Sequence, residues 1–568
     1  MLPTFASPIS RPALAPTALR KLGTGLKRAA TVSLVAFAAI ALQIPIPLIS
    51  TNANAQATPK VTVAKPRDIS IGLQAAITSM DPHYHNLSPN NSLLRHVFEP
   101  LIRQDADQRL SPGLALSWKA LDDTTWEFKL RKNVRWHDGS LFTANDVAFT
   151  FKRAPDVPNS PSSFAQFIRP LKEVKVIDAH TLVLKTENAA PLLPNEMSAI
   201  LIISKKNGEG ATTETYNSGK AAIGTGPYKF VEYIPNQKIV LKANYGYWGG
   251  EEPWDKITFK MLTNPAARVA ALLSGDVEFI ETVPTADIEK MNKDARFSLV
   301  SKVSNRVIYL HLDSGRDKNS PTVTDKAGKP MEVNPLRDVR VRKAISKAIN
   351  RDAIVARVME NKALPASQLL PDGFFGTSNK LKPEKFDAEG AKKLLAEAGY
   401  PEGFGLTIHG PNNRYINDDK IAQAISQMLN RVGIETKVET MPSAIFFQRA
   451  SDLKYSLMLI GWSSETGEQL SSLRALLATH NKDKALGMTN RGRYSNKALD
   501  DVLAVAIKTT DDKKREALIQ QGIEIAMGDQ GLIPLHYEVS TWGMKKGLKY
   551  IPRADQYTLA MDLKPVGK

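Results

Sequence analysis

Residues Trp126–Phe151 read WEFKLRKNVRWHDGSLFTANDVAFTF, and their period changes midway. Trp126, Phe128 and Leu130 alternate with polar residues, the pattern of a strand with one buried face. Asp138-Gly139 is a turn dipeptide, because Gly accepts positive φ at no steric cost. Thr143 then serves as an N-cap with Asp146 three residues on, a capping box in which Asp stands for Glu and also favours the helix dipole. Val147, Phe149 and Phe151 supply the apolar surface of the helix that follows. The stretch therefore predicts strand, tight turn and capped helix. It also places His137 beside Asp138, a pair found in catalytic and metal sites, but the turn chemistry around it favours a structural role.

Outward from this stretch the same alternation of element types continues, the mixed pattern of an α/β protein. HTLVLKT repeats the strand pattern with Leu182 and Leu184. DVRVRKAISKAINRDAIVARVM puts Val341, Ala344, Ile345, Ala348 and Ile349 on one stripe at helical spacing and reads as a single helix. DAEGAKKLLAEAGYP ends with Gly399 as a C-terminal glycine and Pro401 beyond it. INDDKIAQAISQMLNRVGI follows the same scheme, with Ile421, Ile425, Met428 and Leu429 inward and Gly433 at the end. IETKVET and YSLMLIGW read as strands, the second nearly all apolar and so central in its sheet. Two more helices are predicted in NKALDDVLAVAIKT and DDKKREALIQQGIEIAM. A loop rich in Lys, Asp, Pro and Gly, SGRDKNSPTVTDKAGKPMEVNP, follows the strand-like NRVIYLHLD, which places a lobe boundary near 306–314. A second crossing is expected at GLIPLHYEVSTW.

A chain of 568 residues is too long for one core, so two or more lobes are expected. A hydrophobic share of 42% with 23% charged residues is that of a soluble globular protein. Residues 1–57 differ: Arg11, Arg20, Lys21, Lys27 and Arg28 precede the charge-free LVAFAAIALQIPIPLI, and Ala53-Asn54-Ala55 and Ala55-Gln56-Ala57 offer small-x-small cleavage sites. This order is that of a cleaved secretory signal peptide. Its loss removes five basic residues and takes the net charge from +17 to +12. The remaining charges are scattered with no aromatic-basic motif, so solvated surface charge is expected and nucleic acid is not an expected partner. There are no cysteines, which excludes thiol catalysis, disulfides and a lipid-modified cysteine anchor, and points to a free periplasmic protein. G-x-S-x-G, H-E-x-x-H and P-loop motifs are absent, and Ser451-x-x-Lys454 lacks the S-D-N and K-T-G that would accompany it in a penicillin-recognising enzyme. No enzyme activity, cofactor or resident metal is expected.

In this order, the segments resemble family 5 extracellular solute-binding proteins, the receptors of ABC importers for dipeptides, oligopeptides and nickel complexes. The opening stretch, GTGPYKF at 224–230, NYGYWGG at 244–250, LRDVRVRKAISKAINRDAIV and AKKLLAEAGYPEGF carry the likeness, which covers roughly 66–560. It implies an α/β, two-lobed periplasmic-binding-protein fold with an extra subdomain in lobe I, the large peptide-receptor class. The expected division is 1–57 signal peptide, 58–110 first part of lobe I, 111–222 extra subdomain, 223–306 lobe I continued, 307–536 lobe II and 537–568 the return to lobe I. A monomer is expected, binding a small solute or short peptide between its lobes and docking on an ABC permease in the inner membrane. Metal chelates, opines, glutathione and haem are the alternative ligands, and a periplasmic chaperone or enzyme on the same fold is the alternative role.

The resemblance also implies site residues. An acidic side chain three residues after a Gly-Trp pair holds a peptide ammonium in the family, and Glu465 stands there after Trp462, although Glu replaces Asp and Gln469 replaces a common Pro. Such a charge-assisted bond contributes roughly 1.5–3 kcal/mol. Arg414 lies near the position of a carboxylate-binding Arg, with a surface ion pair to Asp418 or Asp419 as the alternative. In DPHYHN, His83, Tyr84 and His85 either line the cleft or pack the loop; the His-x-His spacing with His96 raises metal binding as a weaker possibility. Trp462 is expected to form a cleft wall or to belong to the core. Arg493, Tyr494 and Trp542 are weaker candidates, with packing between lobes as their alternative role.

Overall fold

The computed structural model describes residues 67–567, so the signal-peptide reading lies outside the described residues. One hydrogen-bonded sheet of twelve strands runs through both lobes. At one end are Tyr228–Ile234, Lys238–Ala243, Lys256–Met261, Asp68–Leu73 and Phe279–Ile280; at the other are Leu457–Ser463, Gly405–Pro411 and Val323–Thr324. Two long strands, Phe297–Leu312 and Ile533–Lys545, join the ends. Phe297–Val303 pairs with Val539–Lys545, and Val307–Leu310 pairs with Ile533–Tyr537, with the register broken between Val303 and Val307.

Different cores cover the two halves of these strands. In lobe II, Ile308 and Leu310 pack with Val341, Ile345, Ile421, Ile425 and Leu459 on one sheet face, while Val307 and Tyr309 pack with Leu473, Ile519 and Ile523 on the other. In lobe I, Ile71, Phe259, Phe279 and Trp542 make one core, and Leu272, Ile280 and Ile288 cover the opposite face. Trp542 is therefore a core residue of lobe I. Strand alternation sends successive side chains to these opposite layers.

The segment Trp126–Phe151 folds as its pattern predicts. Thr125–Leu130 sits inside a four-stranded antiparallel sheet next to Thr181–Thr186, and Phe128, Leu130, Leu182 and Leu184 are buried in one core with Val147 and Phe151. Gly139 has φ +87°, and helix Ala144–Arg153 begins where the Thr143 amide donates to Asp146 Oδ2 at 2.9 Å. His137 is held structurally: Nε2–H donates to Gly226 O at 2.9 Å and Nδ1 accepts from Gly224 N at 3.2 Å. Burial pushes its pKa down to about 4, so the ring is neutral.

GTGPYKF has its glycines for close approach. A Cβ on Gly224 would lie 1.7 Å from the Val97 carbonyl oxygen. Gly224→Ala is expected to lower stability by about 1–3 kcal/mol by overpacking, read from the thermal midpoint; an unshifted midpoint would contradict this packing.

One helix departs from its sequence reading. The run 338–359 is not continuous: helix Val339–Ala348 stops at Ile349, whose ψ is 115°. The Asn350 side chain then accepts the Ala353 amide at 2.8 Å and starts a new turn. A capping Asn competes with continuation of the helix. The later helices Ala388–Glu397 and Asp418–Asn430 end before Gly399 and Gly433, both at positive φ. Leu457–Ser463 is central, with Phe297–Leu312 on one side and Gly405–Pro411 on the other.

Candidate functional site

Ligand sites in open α/β sheets lie beyond the carboxyl ends of parallel strands. Both lobes present such ends. In lobe II, Gly405–Pro411 and Leu457–Ser463 run parallel, followed by the loops of Arg414 and Glu465. In lobe I, Asp68–Leu73 and Phe279–Ile280 run parallel, followed by Gln74 and Glu281. Between the lobes lies a cavity of about 30 Å³, lined from lobe I by Gln74, Ser88, Glu281 and Thr558 and completed by Arg306 and Arg414. This is room for about two water-sized groups.

Arg414 has no carboxylate within ion-pair distance among the described residues. The expected alternative, a surface pair with Asp418 or Asp419, does not form: Asp418 Oδ2 accepts the amides of Arg414 and Tyr415, both at 3.0 Å, and braces the loop before its helix. The Arg414 guanidinium lies 5.5 Å from the Tyr415 ring centroid. Burial, then the neighbouring Arg306, lower its pKa. Arg306 is itself compensated, with Nε donating to Gln556 Oε1 at 2.6 Å and lying 3.5 Å from Glu538. Glu538 in turn accepts from the Ile416 amide at 3.1 Å and from Gln556 Nε2 at 2.9 Å.

Glu465 is half-buried beside this region. Its Oε2 accepts from Tyr557 OH at 2.8 Å. Burial raises its pKa against the opposing pull of Tyr557 and Arg95. Its loop is gripped by side-chain amides: Gln108 Nε2 donates to Ser464 O at 2.9 Å, Gln104 Nε2 to Glu465 O at 3.0 Å and Asn195 Nδ2 to Thr466 O at 3.0 Å. Three consecutive carbonyls are fixed by residues distant in sequence.

The six expected ligand residues are not brought together as one set. His85 approaches Arg414: burial, then Arg414, lower its pKa, while Nδ1 shares a 3.1 Å hydrogen bond with Thr78 Oγ1. Tyr84 is half-buried, and its carbonyl accepts from Ser160 Oγ at 2.6 Å. His83 is fully buried, so the cleft-lining expectation fails for it. Its Nε2–H donates to Leu201 O at 2.8 Å and its Nδ1 accepts from Arg153 at 3.1 Å. Both nitrogens are occupied, which also removes it from any His-x-His metal pair. His96 is likewise buried, with Nδ1 on Leu93 O at 2.8 Å and Nε2 accepting from Ala560 N at 2.9 Å. Trp462 is half-buried against the lobe II core, with Nε1 donating to Ser472 Oγ at 3.0 Å.

Glu281, Arg306, Gln556 and Thr558 escaped the sequence reading. They come from separate segments meeting at the crossing, and none has a local motif. The usable signal was positional: Glu281 follows the short strand Phe279–Ile280 at its carboxyl end.

Comparison with known proteins agrees with this architecture. Heme-binding protein A of Haemophilus influenzae is 28% identical over 480 residues, 79% of this chain and 83% of that protein. The dipeptide-binding protein of Escherichia coli K12 is 28% identical over 445 residues, covering 74% and 79%. The structure of the periplasmic binding protein DppA of Helicobacter pylori with the peptide STSA superposes with a TM-score of 0.76 at 23% identity, covering 88% of this chain and 98% of that one, a likeness of fold. The family model for the middle part of the bacterial extracellular solute-binding proteins, family 5, matches residues 109–484. With its two lobes, its inserted subdomain and that match across most of its length, the chain belongs to the bacterial extracellular solute-binding proteins, family 5.

Proposed function

We propose that this protein is the periplasmic receptor of an ABC importer, closing its lobes around a small carboxylate-bearing solute, a short peptide foremost, and passing it unchanged to the permease. The observation that carries the reading is Arg414, a guanidinium that makes no ion pair among the described residues and lines the cavity between the lobes. A planar guanidinium binds a carboxylate through two parallel hydrogen bonds. The names of the relatives support the class of role and differ in cargo, haem in one and dipeptides in the other.

Closure requires a ligand that contacts both lobes, because only differential affinity shifts an open–closed balance. The cavity of about 30 Å³ takes no whole peptide, so a larger cargo is held with the lobes further apart and only its end in this space. Native mass spectrometry of protein recovered from the periplasm is expected to find a retained small solute. Small-angle scattering is expected to record compaction on adding that solute to protein stripped of it. Profiles unchanged across a broad peptide and metabolite library would overturn the reading.

A further inference from the structure

We propose that residues 190–196 of the inserted subdomain form a latch that clasps lobe II outside the ligand cavity and tightens in acid, so that the open–closed balance follows the surrounding pH. This rests on the receptor reading above, because a latch matters only if the lobes part.

The geometry of the contact carries it. Leu192 belongs to the lobe II core of Leu470 and Leu473, and among the described residues it is the only buried member from outside the run 307–537. Its neighbours hold the other way: Leu193 and Met197 are buried in the core of the inserted subdomain, and Leu201 and Ile203 in that of lobe I. The segment is thus anchored on one side and inserted into the other. Polar contacts flank the leucine. Asn195 Nδ2 donates to Thr466 O at 3.0 Å, Arg474 Nη1 to Glu196 Oε1 at 3.3 Å and Thr510 Oγ1 to Asp123 Oδ1 at 3.1 Å. Asp123 is tied to the same segment, its carbonyl accepting from Ala190 N at 3.3 Å. None of these residues lines the cavity.

The contact also brings like charges together, one from each side. Glu196 and Glu468 are both buried. Glu196 is faced by Arg474 and by Glu468; Glu468 is faced by Glu196, by Arg515 Nη2 at 3.2 Å and by Asp512. Glu468 Oε2 has no hydrogen-bond partner among the described residues. Burial pushes Glu196 up to about 6 against the pull of Arg474, and Glu468 up to about 7 against that of Arg515. Parting the lobes separates the pair and lets water reach Glu196, which returns toward its ordinary 4.5. Between 4.5 and about 6 the closed form therefore holds the extra proton. Closure gains as pH falls through that window and is weakest above it.

The test uses the mature protein, whose lack of cysteine lets one spin label be placed by Ala266→Cys in lobe I and another by Ala444→Cys in lobe II. Both positions are exposed and lie just beyond the carboxyl ends of Lys256–Met261 and Glu435–Met441. Label-to-label distances are read by electron spin resonance in ligand-free protein. From about pH 7.5 to about pH 5 the ratio of closed to open form is expected to rise roughly eightfold, the change produced by one carboxyl moved from 4.5 to about 6. Glu196→Gln should remove most of this response. Leu192→Ser should lower the ratio about 10- to 100-fold at every pH, the worth of one buried leucine. If Leu192→Ser fails to fold, Glu196→Gln alone decides. A pH response kept in full by Glu196→Gln, or distances that neither pH nor Leu192→Ser moves, overturns the latch. The receptor reading stands or falls separately, on compaction by the solute recovered from the periplasm.

Discussion

Asp81→Ala is expected to lower the unfolding free energy by about 3–5 kcal/mol, the cost of removing one partner from a buried ion pair. Asp81 is fully buried, and its two oxygens receive Arg153 Nη1 at 2.9 Å and Nη2 at 2.6 Å. The Thr213 hydroxyl and the His83 amide, each at 3.0 Å, complete its shell. Arg153 ends the helix that Thr143 begins and lies 4.8 Å from the Tyr216 ring centroid, so its charge has little access to water once Asp81 is gone. The same guanidinium donates to His83 Nδ1, and the loop leading to His85 would lose its anchor. Urea unfolding should show a lower midpoint at an unchanged slope. Arg153→Met in the Asp81→Ala background should recover part of the loss, because the stranded charge is the larger share of it. A loss under about 1 kcal/mol, or additive single and double variants, would refute the network.

His536→Leu is expected to stabilise the protein, by about 1–3 kcal/mol at neutral pH, the usual cost of an unsatisfied buried polar group. His536 is fully buried in the crossing strand, opposite Ile308 and Pro365, and neither ring nitrogen has a hydrogen-bond partner among the described residues. Burial holds its pKa down at about 3 against an ordinary 6.5. For a base depressed in the fold, the unfolded chain takes up the proton first. Wild-type stability therefore falls as pH drops below 6.5, by about 1.4 kcal/mol per unit from this group, until the folded pKa is reached. The advantage of His536→Leu should widen by about 2 kcal/mol between pH 6.5 and 5, measured by unfolding at each pH. A constant gap, or a destabilised variant, would show that the ring has a charged or hydrogen-bonding role.

These two sites mark where sequence and structure part company. His137 was legible as structural from the turn residues around it, although the bonds that hold its ring reach Gly224 and Gly226. His83 was not: its partners are Arg153 and Leu201, and nothing in DPHYHN announces a buried network. The strands and most helices were legible because period-2 and period-3.6 burial leave a direct trace, as in Phe128 with Leu130 or Ile421 with Ile425. The helix break at Ile349 was missed because the apolar stripe continues through it while Asn350 redirects the backbone. The cavity was half-legible. Arg414 was found through resemblance to known receptors, but Glu281 and Gln556 meet it only through pairing across distant segments. No local window holds that information.

The two long crossing strands also fix an order of assembly. Apart from Leu192, the buried residues of the lobe II cores come from the single run 307–537, whereas lobe I needs Val539–Lys545 to flank both Phe279–Ile280 and Phe297–Val303. The strands of lobe I that precede residue 306 therefore keep an open sheet edge until Val539–Lys545 joins them. Lobe II can ripen first; lobe I is sealed from the tail.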